Sequence, residues 1–297
     1  MNRENKNFKS GFVTIVGRPN VGKSTIMNAM IGEKISIVSS RPQTTRNKIL
    51  GVFTDENKQI VFVDTPGIHD PRSKLGEIMM NTVHDAMTGM DCVMVLLDSS
   101  HITDKDKTII TDIKEKKVPK ILVLNKIDLV DPQTVLLITA QFAAAGYDEI
   151  IPVSAVTGDG LNELQNAIAN YLPEGPHYFP DDMITDQPER LLCAEIIREK
   201  ALLNLRDEVP HGIGIEIMGM TRENTSCMEI NAVIYCERDA HKPIIIGKQG
   251  SMLRKIGTDA RKDIEALLGE HVNLKLWVKV KNDWRNNKSE LKNLGYE

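Results

Sequence analysis

Apolar residues in the first 172 positions come in short runs separated by amphipathic stretches. The amphipathic stretches, such as Ser24–Ile31, Lys105–Lys116 and Thr134–Ala145, predict helices. The short runs predict strands of a mostly parallel sheet with helices on both faces. These predicted strands are Phe12–Val16, Lys48–Phe53, Gln59–Val63, Cys92–Leu97, Lys120–Leu124 and Ile150–Val153. The pattern indicates an α/β domain whose ligands bind at the carboxyl ends of the strands.

A proline-rich stretch follows, and the pattern after it is different. Residues 173–188 contain four prolines and predict a linker between a first domain, 1–172, and a second, 189–297. The second domain reads as a smaller α+β fold. Its predicted elements are a helix at Glu189–Asn204, strands at Gly212–Met218 and Ser226–Tyr235, two helices around a Gly-x-x-Gly loop, and a strand at Asn273–Val280.

Composition limits the functional classes. The net charge is −4, but the segment from His241 to Glu297 has 12 Lys and Arg against 7 Asp and Glu, which favours an anionic partner there. No cysteine belongs to a C-x-x-C pair, and Cys92 and Cys193 lie in apolar runs, so we expect buried thiols in a reducing cytosol. The polar start from Met1 to Ser10 and the absence of a run of about 20 apolar residues predict a cytoplasmic protein with no transmembrane segment. We expect it to be monomeric.

The first motif follows the first predicted strand and matches G-x-x-x-x-G-K-[ST]. Gly17 and Gly22 allow a tight turn whose N–H groups surround phosphate oxygens, and the next helix adds its positive dipole end. Lys23 is placed to reach the β- and γ-phosphates, and Ser24 to ligate Mg²⁺. The predicted nucleotide-binding residues of this loop are Gly17, Arg18, Pro19, Asn20, Val21, Gly22, Lys23, Ser24 and Thr25.

A second motif, Asp64-Thr65-Pro66-Gly67, follows the strand Gln59–Val63. An acidic residue at this strand end serves the Mg²⁺ shell, and the Gly67 N–H is available to the γ-phosphate. In the loop Gln43-Thr44-Thr45-Arg46, either threonine could ligate Mg²⁺, and we favour Thr45. The predicted metal ligands are Ser24, Thr45 and Asp64, and the predicted catalytic residues are Asn20, Lys23, Thr45, Asp64 and Gly67.

A third motif, Asn125-Lys126-Ile127-Asp128, selects the base. A buried Asp128 carboxylate would accept hydrogen bonds from N1–H and the exocyclic amine of guanine, a donor pair that adenine lacks. Asn125 would fix the loop, and the Lys126 stem would cover the base. Ser154 and Ala155 follow the last strand of this domain, and the Ala155 N–H is available to guanine O6.

The residue after Gly67 is Ile68, where signalling GTPases carry a glutamine that orients the attacking water. An isoleucine cannot hydrogen-bond water, so another device must position it.

The Gly247-Lys248-Gln249-Gly250 loop lies between two predicted helices, as the RNA backbone clamp of KH domains does. Its glycines let phosphates approach the main chain, Lys248 adds charge, and the neighbouring isoleucines would form an apolar shelf for bases. The predicted RNA-binding residues are Ile246, Gly247, Lys248, Gln249, Gly250, Arg254 and Lys255.

These motifs, with the stretch Leu276 to Arg285, resemble the bacterial Era family of GTPases from Gly11 to Tyr296. The resemblance implies a P-loop GTPase domain joined to a type II KH domain that binds small-subunit ribosomal RNA near its 3′ end and assists small-subunit assembly. It also implies peripheral contact with the inner face of the cell membrane. In related members, an asparagine at the position of Asn20 helps to hold a stimulatory K⁺. Gln249 departs from the family, where glycine is frequent.

Two functions compete. One is a GTP-hydrolysing switch that controls an RNA-binding module; the other is an RNA-binding chaperone for which GTP is a structural ligand. Lys23, Ser24 and Asp64 favour hydrolysis, whereas Ile68 favours the alternative. A signalling GTPase with a protein-binding second domain is disfavoured by the Gly-x-x-Gly loop.

Overall fold

The computed structural model describes residues 8–39, 41, 43–71, 73–224 and 227–296. Residues 1–7 of the predicted polar start, residues 40 and 42 just before the loop Gln43-Thr44-Thr45-Arg46, and the predicted strand residue Ser226 lie outside this description. Contacts divide the chain into two units. The first runs to Ser36 and also contains Thr45–Asp70 and Met79–Asp186; the second contains Ile37–Thr44, Pro71–Ile78 and the chain from Gln187.

The first unit is built on a six-stranded sheet. Its strands are β1 (Lys9–Val16), β2 (Ile49–Thr54), β3 (Lys58–Asp64), β4 (Cys92–Asp98), β5 (Lys120–Asn125) and β6 (Glu149–Pro152), in the order β2-β3-β1-β4-β5-β6. All neighbours are parallel except β2 and β3. The helices along this part of the chain are α1 (Lys23–Ile31), α2 (Lys74–Ala86), α3 (Asp104–Lys114), α4 (Pro132–Phe142) and α5 (Leu161–Tyr171). The predicted parallel sheet is confirmed.

Both faces of this sheet are buried, which explains the uninterrupted apolar runs. Along β4, Met94 and Leu96 pack with α1 and α5, whereas Val95 and Leu97 pack with α3 and α4. Successive side chains of a strand point to opposite faces, so every position must be apolar when both faces are covered. Each such buried side chain contributes about 1.5–3 kcal/mol relative to an exposed one.

The proline-rich segment runs along the edge strand β2. The Val52 N–H donates to the Ile184 carbonyl oxygen (2.8 Å), and the buried Gln59 amide oxygen accepts from the N–H groups of Tyr178 and Phe179. Prolines leave this segment without a regular strand, and it still covers part of an edge that would otherwise expose unpaired backbone groups.

The second unit has a three-stranded sheet in the order β7-β8-β9, with β7 antiparallel and β9 parallel to the central strand. Its elements are α6 (Glu189–Asn204), β7 (Gly214–Asn224), β8 (Cys227–Cys236), α7 (His241–Ile246), α8 (Ser251–Leu268), β9 (His271–Val280) and α9 (Lys288–Asn293). Strand β7 extends well past its predicted end at Met218, because a bulge there lets pairing with β8 continue.

Cys92 and Cys193 are buried free thiols, as predicted. The shelf of isoleucines is only partly present: Ile245 is fully buried in the core, whereas Ile244 is half exposed. Three successive residues cannot all point to one side of a helix, because each is rotated by about 100° from the last. Of the three isoleucines that end α7, the middle one therefore enters the core. No helix that the structure describes is long and apolar enough to cross a membrane.

Candidate nucleotide and RNA sites

The phosphate loop joins β1 to α1 at the carboxyl edge of the sheet. Gly22, which precedes α1, has a φ of 99°, and Asn20 has a φ of 66°. A Cβ atom on Gly22 would lie 2.3 Å from the Asn125 Nδ2 atom, and the positive φ disfavours any residue with a side chain there. Arg18 is held away from the loop by the nearly buried Asp106 carboxylate of α3 at 2.7 Å. The half-buried Thr25 follows Ser24 in α1.

Lys23 is buried at the centre of this loop. Its ammonium group donates to the carbonyl oxygens of Gly17 (3.2 Å) and Arg18 (3.1 Å). Burial lowers the pKa of Lys23 to about 8, although the charge of Asp64 acts in the opposite direction. An anionic ligand in the loop would therefore meet a cation that lacks full hydration.

Three hydroxyl groups converge on the buried Asp64 carboxylate. Its Oδ2 atom accepts from Ser24 (2.6 Å), Ser36 (3.0 Å) and Thr45 (3.4 Å). The Oδ1 atom is buried and has no hydrogen-bond partner among the described residues. Burial raises the pKa of Asp64. The orphaned carboxylate oxygen together with the Ser24 and Thr45 hydroxyls is the kind of oxygen donor set that Mg²⁺ prefers, so these residues fit the ion.

The two threonines of the loop 43–46 have different surroundings. The Thr44 hydroxyl donates to the Arg41 carbonyl oxygen (2.6 Å) and bonds to the Ser39 hydroxyl. The Thr45 hydroxyl lies 2.9 Å from that of Ser24. This arrangement supports the choice of Thr45 as the metal ligand, which stays a prediction.

The second motif lies against the phosphate loop. A Cβ atom on Gly67 would be 2.6 Å from the Pro19 nitrogen, so the two backbones touch. The Ile68 N–H donates to the Gly17 carbonyl oxygen (3.0 Å), and the Ile68 side chain packs on the core. The Thr65 hydroxyl donates to the carbonyl oxygen of Ile15, which anchors Thr65-Pro66 to β1. Ile68 has no polar atom to offer to a water molecule.

The third motif is tied to its neighbours by Asn125. Its amide donates to the Val21 carbonyl oxygen (2.9 Å), and its side-chain oxygen accepts from the Ala155 N–H (3.2 Å). The Ser154 hydroxyl donates to Asp128 at 2.6 Å. The expectation that Asp128 is buried is wrong: it is exposed, because it follows the end of β5 at the open rim where a base would cover it.

Sequence reasoning missed Asp98 at the end of β4. Its carboxylate accepts a hydrogen bond from the Lys126 ammonium at 2.5 Å, and Lys126 also donates to the Asn20 carbonyl oxygen at 2.9 Å. The signal that could have found it is its position, since it is the acidic residue that ends the strand beside β5.

The second unit contains a groove between α8 and β9 with a volume of about 370 Å³. It is lined by Gly250, Leu253, Arg254, Gly257, Thr258, Arg261, Leu274 and Leu276. The lining residues on α8 recur every three or four positions, so they form one stripe along the helix. Of the two basic residues predicted to bind RNA at the start of α8, Arg254 lines the groove, whereas Lys255 is exposed outside its lining. The RNA-binding role of both stays a prediction.

The Gly-x-x-Gly loop lies at one end of this groove. Gly247 has a φ of 74°, and a Cβ atom there would be 2.7 Å from the Met252 nitrogen. Gln249 and Gly250 also have positive φ angles, and Lys248 and Gln249 are exposed. Ile246 is half-buried beside the loop. The loop thus presents main-chain groups at the start of α8, where the helix dipole is positive.

These features define a P-loop GTPase joined to a KH domain. They are the phosphate loop, the Mg²⁺ donor set, the base-recognition loop and the Gly-x-x-Gly groove. Two family models agree: a 50S ribosome-binding GTPase model matches residues 12–126, and a KH domain model matches residues 208–285.

Relatives that match along nearly the whole chain give a more specific assignment. The chain is 54% identical to GTPase Era of Clostridioides difficile, covering 97% of this chain and 99% of the relative. It is 53% identical to GTPase Era of Alkaliphilus metalliredigens over 98% and 99%. The chain belongs to the Era family of GTPases.

Solved structures agree with this assignment. A crystal structure of Era in complex with MgGDPNP and nucleotides 1506–1542 of 16S ribosomal RNA superposes with a TM-score of 0.93 at 42% identity, covering 97% of this chain and 99% of that one. An Aquifex aeolicus Era variant bound to GDP·AlF4⁻ superposes equally well.

Proposed function

We propose that this GTPase is a switch whose nucleotide site controls binding of small-subunit ribosomal RNA near its 3′ end, during assembly of the small subunit. The main support for this proposal is that one chain contains both a phosphate loop with an Mg²⁺ donor set and a Gly-x-x-Gly groove. A relative that is 42% identical holds MgGDPNP and a 16S RNA fragment in one crystal. That likeness supports the same pair of ligands here.

In the nucleotide site, Ser24 and Thr45 would ligate Mg²⁺, with Asp64 in its shell. When bound, the ion neutralises charge on the β- and γ-phosphate oxygens. Lys23 adds a fixed positive charge, and the Gly67 N–H is placed to donate to the γ-phosphate. Asn20 would hold a K⁺ ion. That ion would supply part of the catalytic help that other GTPases obtain from a water-orienting glutamine at the position of Ile68.

The rival function, a chaperone with GTP as a structural ligand, differs in turnover. We expect steady-state phosphate release from GTP that depends on Lys23 and changes when the ribosomal RNA fragment is added. Lys23→Ala should abolish release because charge on the γ-phosphate is no longer neutralised. Tight GTP binding without release, with or without RNA, would favour the chaperone.

In the RNA site, phosphates would approach the Gly247–Gly250 backbone and bases would enter the groove beside it. Since KH clamps hold unpaired nucleotides, we expect single-stranded RNA to bind more tightly than duplex. The double variant Gly247→Asp and Gly250→Asp blocks backbone approach and adds negative charge. It should lose RNA binding and keep GTP binding, because the predicted nucleotide motifs end at Ala155.

A single, milder substitution tests the same site in case the double variant misfolds. Lys248→Ala should weaken RNA binding and reduce the slope of log affinity against log salt by about 1, the loss of one phosphate contact. Lys107→Ala on α3, which removes another exposed lysine, is the matched control and should leave the slope unchanged. RNA affinity that survives the double variant would remove the clamp from the proposal.

Helix α4 favours the proposed peripheral membrane contact. It contains no charged residue, and Leu136 and Leu137 are 69% and 71% exposed. An apolar helix face of this kind can bury itself at the headgroup boundary of a bilayer. The protein should float with phospholipid vesicles, and Leu136→Gln with Leu137→Gln should prevent this. Equal flotation of variant and wild type would exclude α4 as the contact.

A further inference from the structure

Strand β9 is an edge strand with two chemically different sides. Leu274 and Leu276 line the groove beside α8. The alternate residues Lys275, Trp277 and Lys279 point to the opposite face of the sheet, since side chains of a strand alternate. The groove and this second face therefore meet at the same strand edge.

Trp277 is unusual on that face because its indole is 48% exposed. Its partner in register on β8 is Val233, which is only 2% exposed. The indole therefore stands beside a closed part of the sheet and leaves much of its own surface to solvent. A half-exposed tryptophan next to two lysines matches the stacking surfaces that hold unpaired bases.

The charges around Trp277 suit a nucleic acid backbone. Lys279 has no ion-pair partner among the residues that the structure describes, and it is exposed. Lys275 is 47% exposed and lies 3.1 Å from Glu229. Two further acidic residues lie near Tyr235, the register partner of Lys279: Glu216 accepts a hydrogen bond from the Tyr235 hydroxyl, and Glu290 is paired with Lys281. Lys279 is therefore the cation available to a phosphate beside the indole.

We propose that Trp277 and Lys279 form a second RNA contact, which stacks a base of single-stranded RNA that leaves the Gly-x-x-Gly groove and turns around the edge of β9. The proposal rests on the proposed RNA function and extends it to a face of the sheet outside the groove. The stacking surface is continuous with the groove, because Leu276 lines the groove and its direct neighbour Trp277 carries the exposed indole, so an RNA strand can pass from one to the other. Stacking tolerates any base, so this contact adds affinity without selecting sequence.

The contact predicts a dependence on RNA length. A KH clamp holds about four nucleotides, so a tetranucleotide occupies the groove alone and cannot reach Trp277. A decanucleotide with the same four residues at its centre can reach it. Trp277→Leu in the full-length protein should therefore weaken the decanucleotide about tenfold, as expected for one lost stacking contact. It should leave the tetranucleotide affinity unchanged.

Two further variants separate stacking from a structural effect. Trp277→Phe keeps a smaller aromatic surface and should restore most of the decanucleotide affinity. Tyr178→Leu removes another aromatic side chain, 47% exposed in the first unit, and should leave both RNA affinities unchanged.

Tryptophan fluorescence gives a direct signal, because the chain has two tryptophans and the other, Trp284, is fully buried. The decanucleotide should quench emission and protect it from acrylamide in wild type, and both effects should disappear in Trp277→Phe. The tetranucleotide should cause neither effect.

Either of two results would overturn the proposal and leave this face to a protein partner. In one, Trp277→Leu loses affinity for both RNAs equally; in the other, decanucleotide affinity and tryptophan emission are unchanged. Neither of those results would affect the proposed RNA function, which fails only if wild type binds no RNA or if the Gly247→Asp, Gly250→Asp variant binds it normally.

Discussion

The Lys126 ammonium group lies 2.5 Å from the Asp98 carboxylate, and this ion pair connects the ends of two neighbouring strands. The same ammonium donates to the Asn20 carbonyl oxygen in the phosphate loop. Burial by itself would raise the pKa of Asp98, but hydrogen bonds from Lys126 and Ser100 outweigh it, and the pKa is lowered. Asp98 is therefore ionised at neutral pH and fixes the Lys126 ammonium group beside the phosphate loop.

Asp98→Asn should speed the release of guanine nucleotides. The amide keeps the shape of the side chain but loses the charge that positions Lys126, a change of about 1 kcal/mol or roughly fivefold. Because we expect Lys126 to contact the base and not the γ-phosphate, KM should rise while kcat stays the same. Stopped-flow dissociation of a fluorescent GDP analogue measures the effect. Asp104→Asn, which breaks the exposed Asp104–Lys107 pair, is the control and should release nucleotide at the wild-type rate.

Asp128→Asn should change the base that the protein accepts. The carboxylate offers two acceptor oxygens to guanine, and an amide offers only one and adds donors that suit xanthine. We expect GTP affinity to fall by about a thousandfold or more, with xanthosine triphosphate now preferred. Competition binding with GTP, XTP and ATP tests this. Wild-type protein that binds ATP as tightly as GTP would contradict the assignment.

The affinity for GTP should decrease as pH rises above about 8. The Lys23 pKa is about 8 in the structure without nucleotide, and a bound triphosphate must raise it, because the anion favours the charged lysine. Between these two pKa values each binding event takes up one proton, so affinity falls up to about tenfold per pH unit. Below pH 8 Lys23 is already charged, and this dependence disappears.

Calorimetry in buffers of different ionisation enthalpy counts the protons directly. The measurements should stay below the pH at which guanine N1 itself loses a proton. Nucleotide binding at pH 8.5 without proton uptake would show that Lys23 is fully charged in the free protein.

K⁺ should stimulate hydrolysis more than Na⁺ at equal ionic strength. Ile68 packs on the core and cannot orient water, so we expect the cation near Asn20 to lower the barrier by ~1.4 kcal/mol, about tenfold in kcat. Asn20 has a φ of 66°, so Asn20→Gly removes the amide without straining the backbone and is a sharper test than alanine. The glycine variant should be equally slow in both salts. Identical wild-type rates in KCl and NaCl would remove the cation from the mechanism.

Features that depend on neighbours along the chain were predictable from the sequence. The apolar run Cys92–Leu97 became β4, the stretch Glu189–Asn204 became α6, and both glycine loops have the backbone conformations that their spacing requires. Local periodicity and turn chemistry involve residues only a few positions apart, so they can be read directly. The motifs that follow β1, β3 and β5 at their carboxyl ends are of this kind.

The tertiary structure decided the relationships between distant residues. The strand order β2-β3-β1-β4-β5-β6 brings Asp98 to Lys126 and lets Asn125 connect Val21 to Ala155, which no local spacing specifies. Packing in three dimensions buried Ile245 and left its neighbour Ile244 half exposed. The pairing of β9 with β8 placed the half-exposed Trp277 on the face of the sheet opposite to the groove that Leu276 lines. A chain pattern determines which residues share an element, but only the packing of elements determines which side chains meet and which remain exposed to a partner.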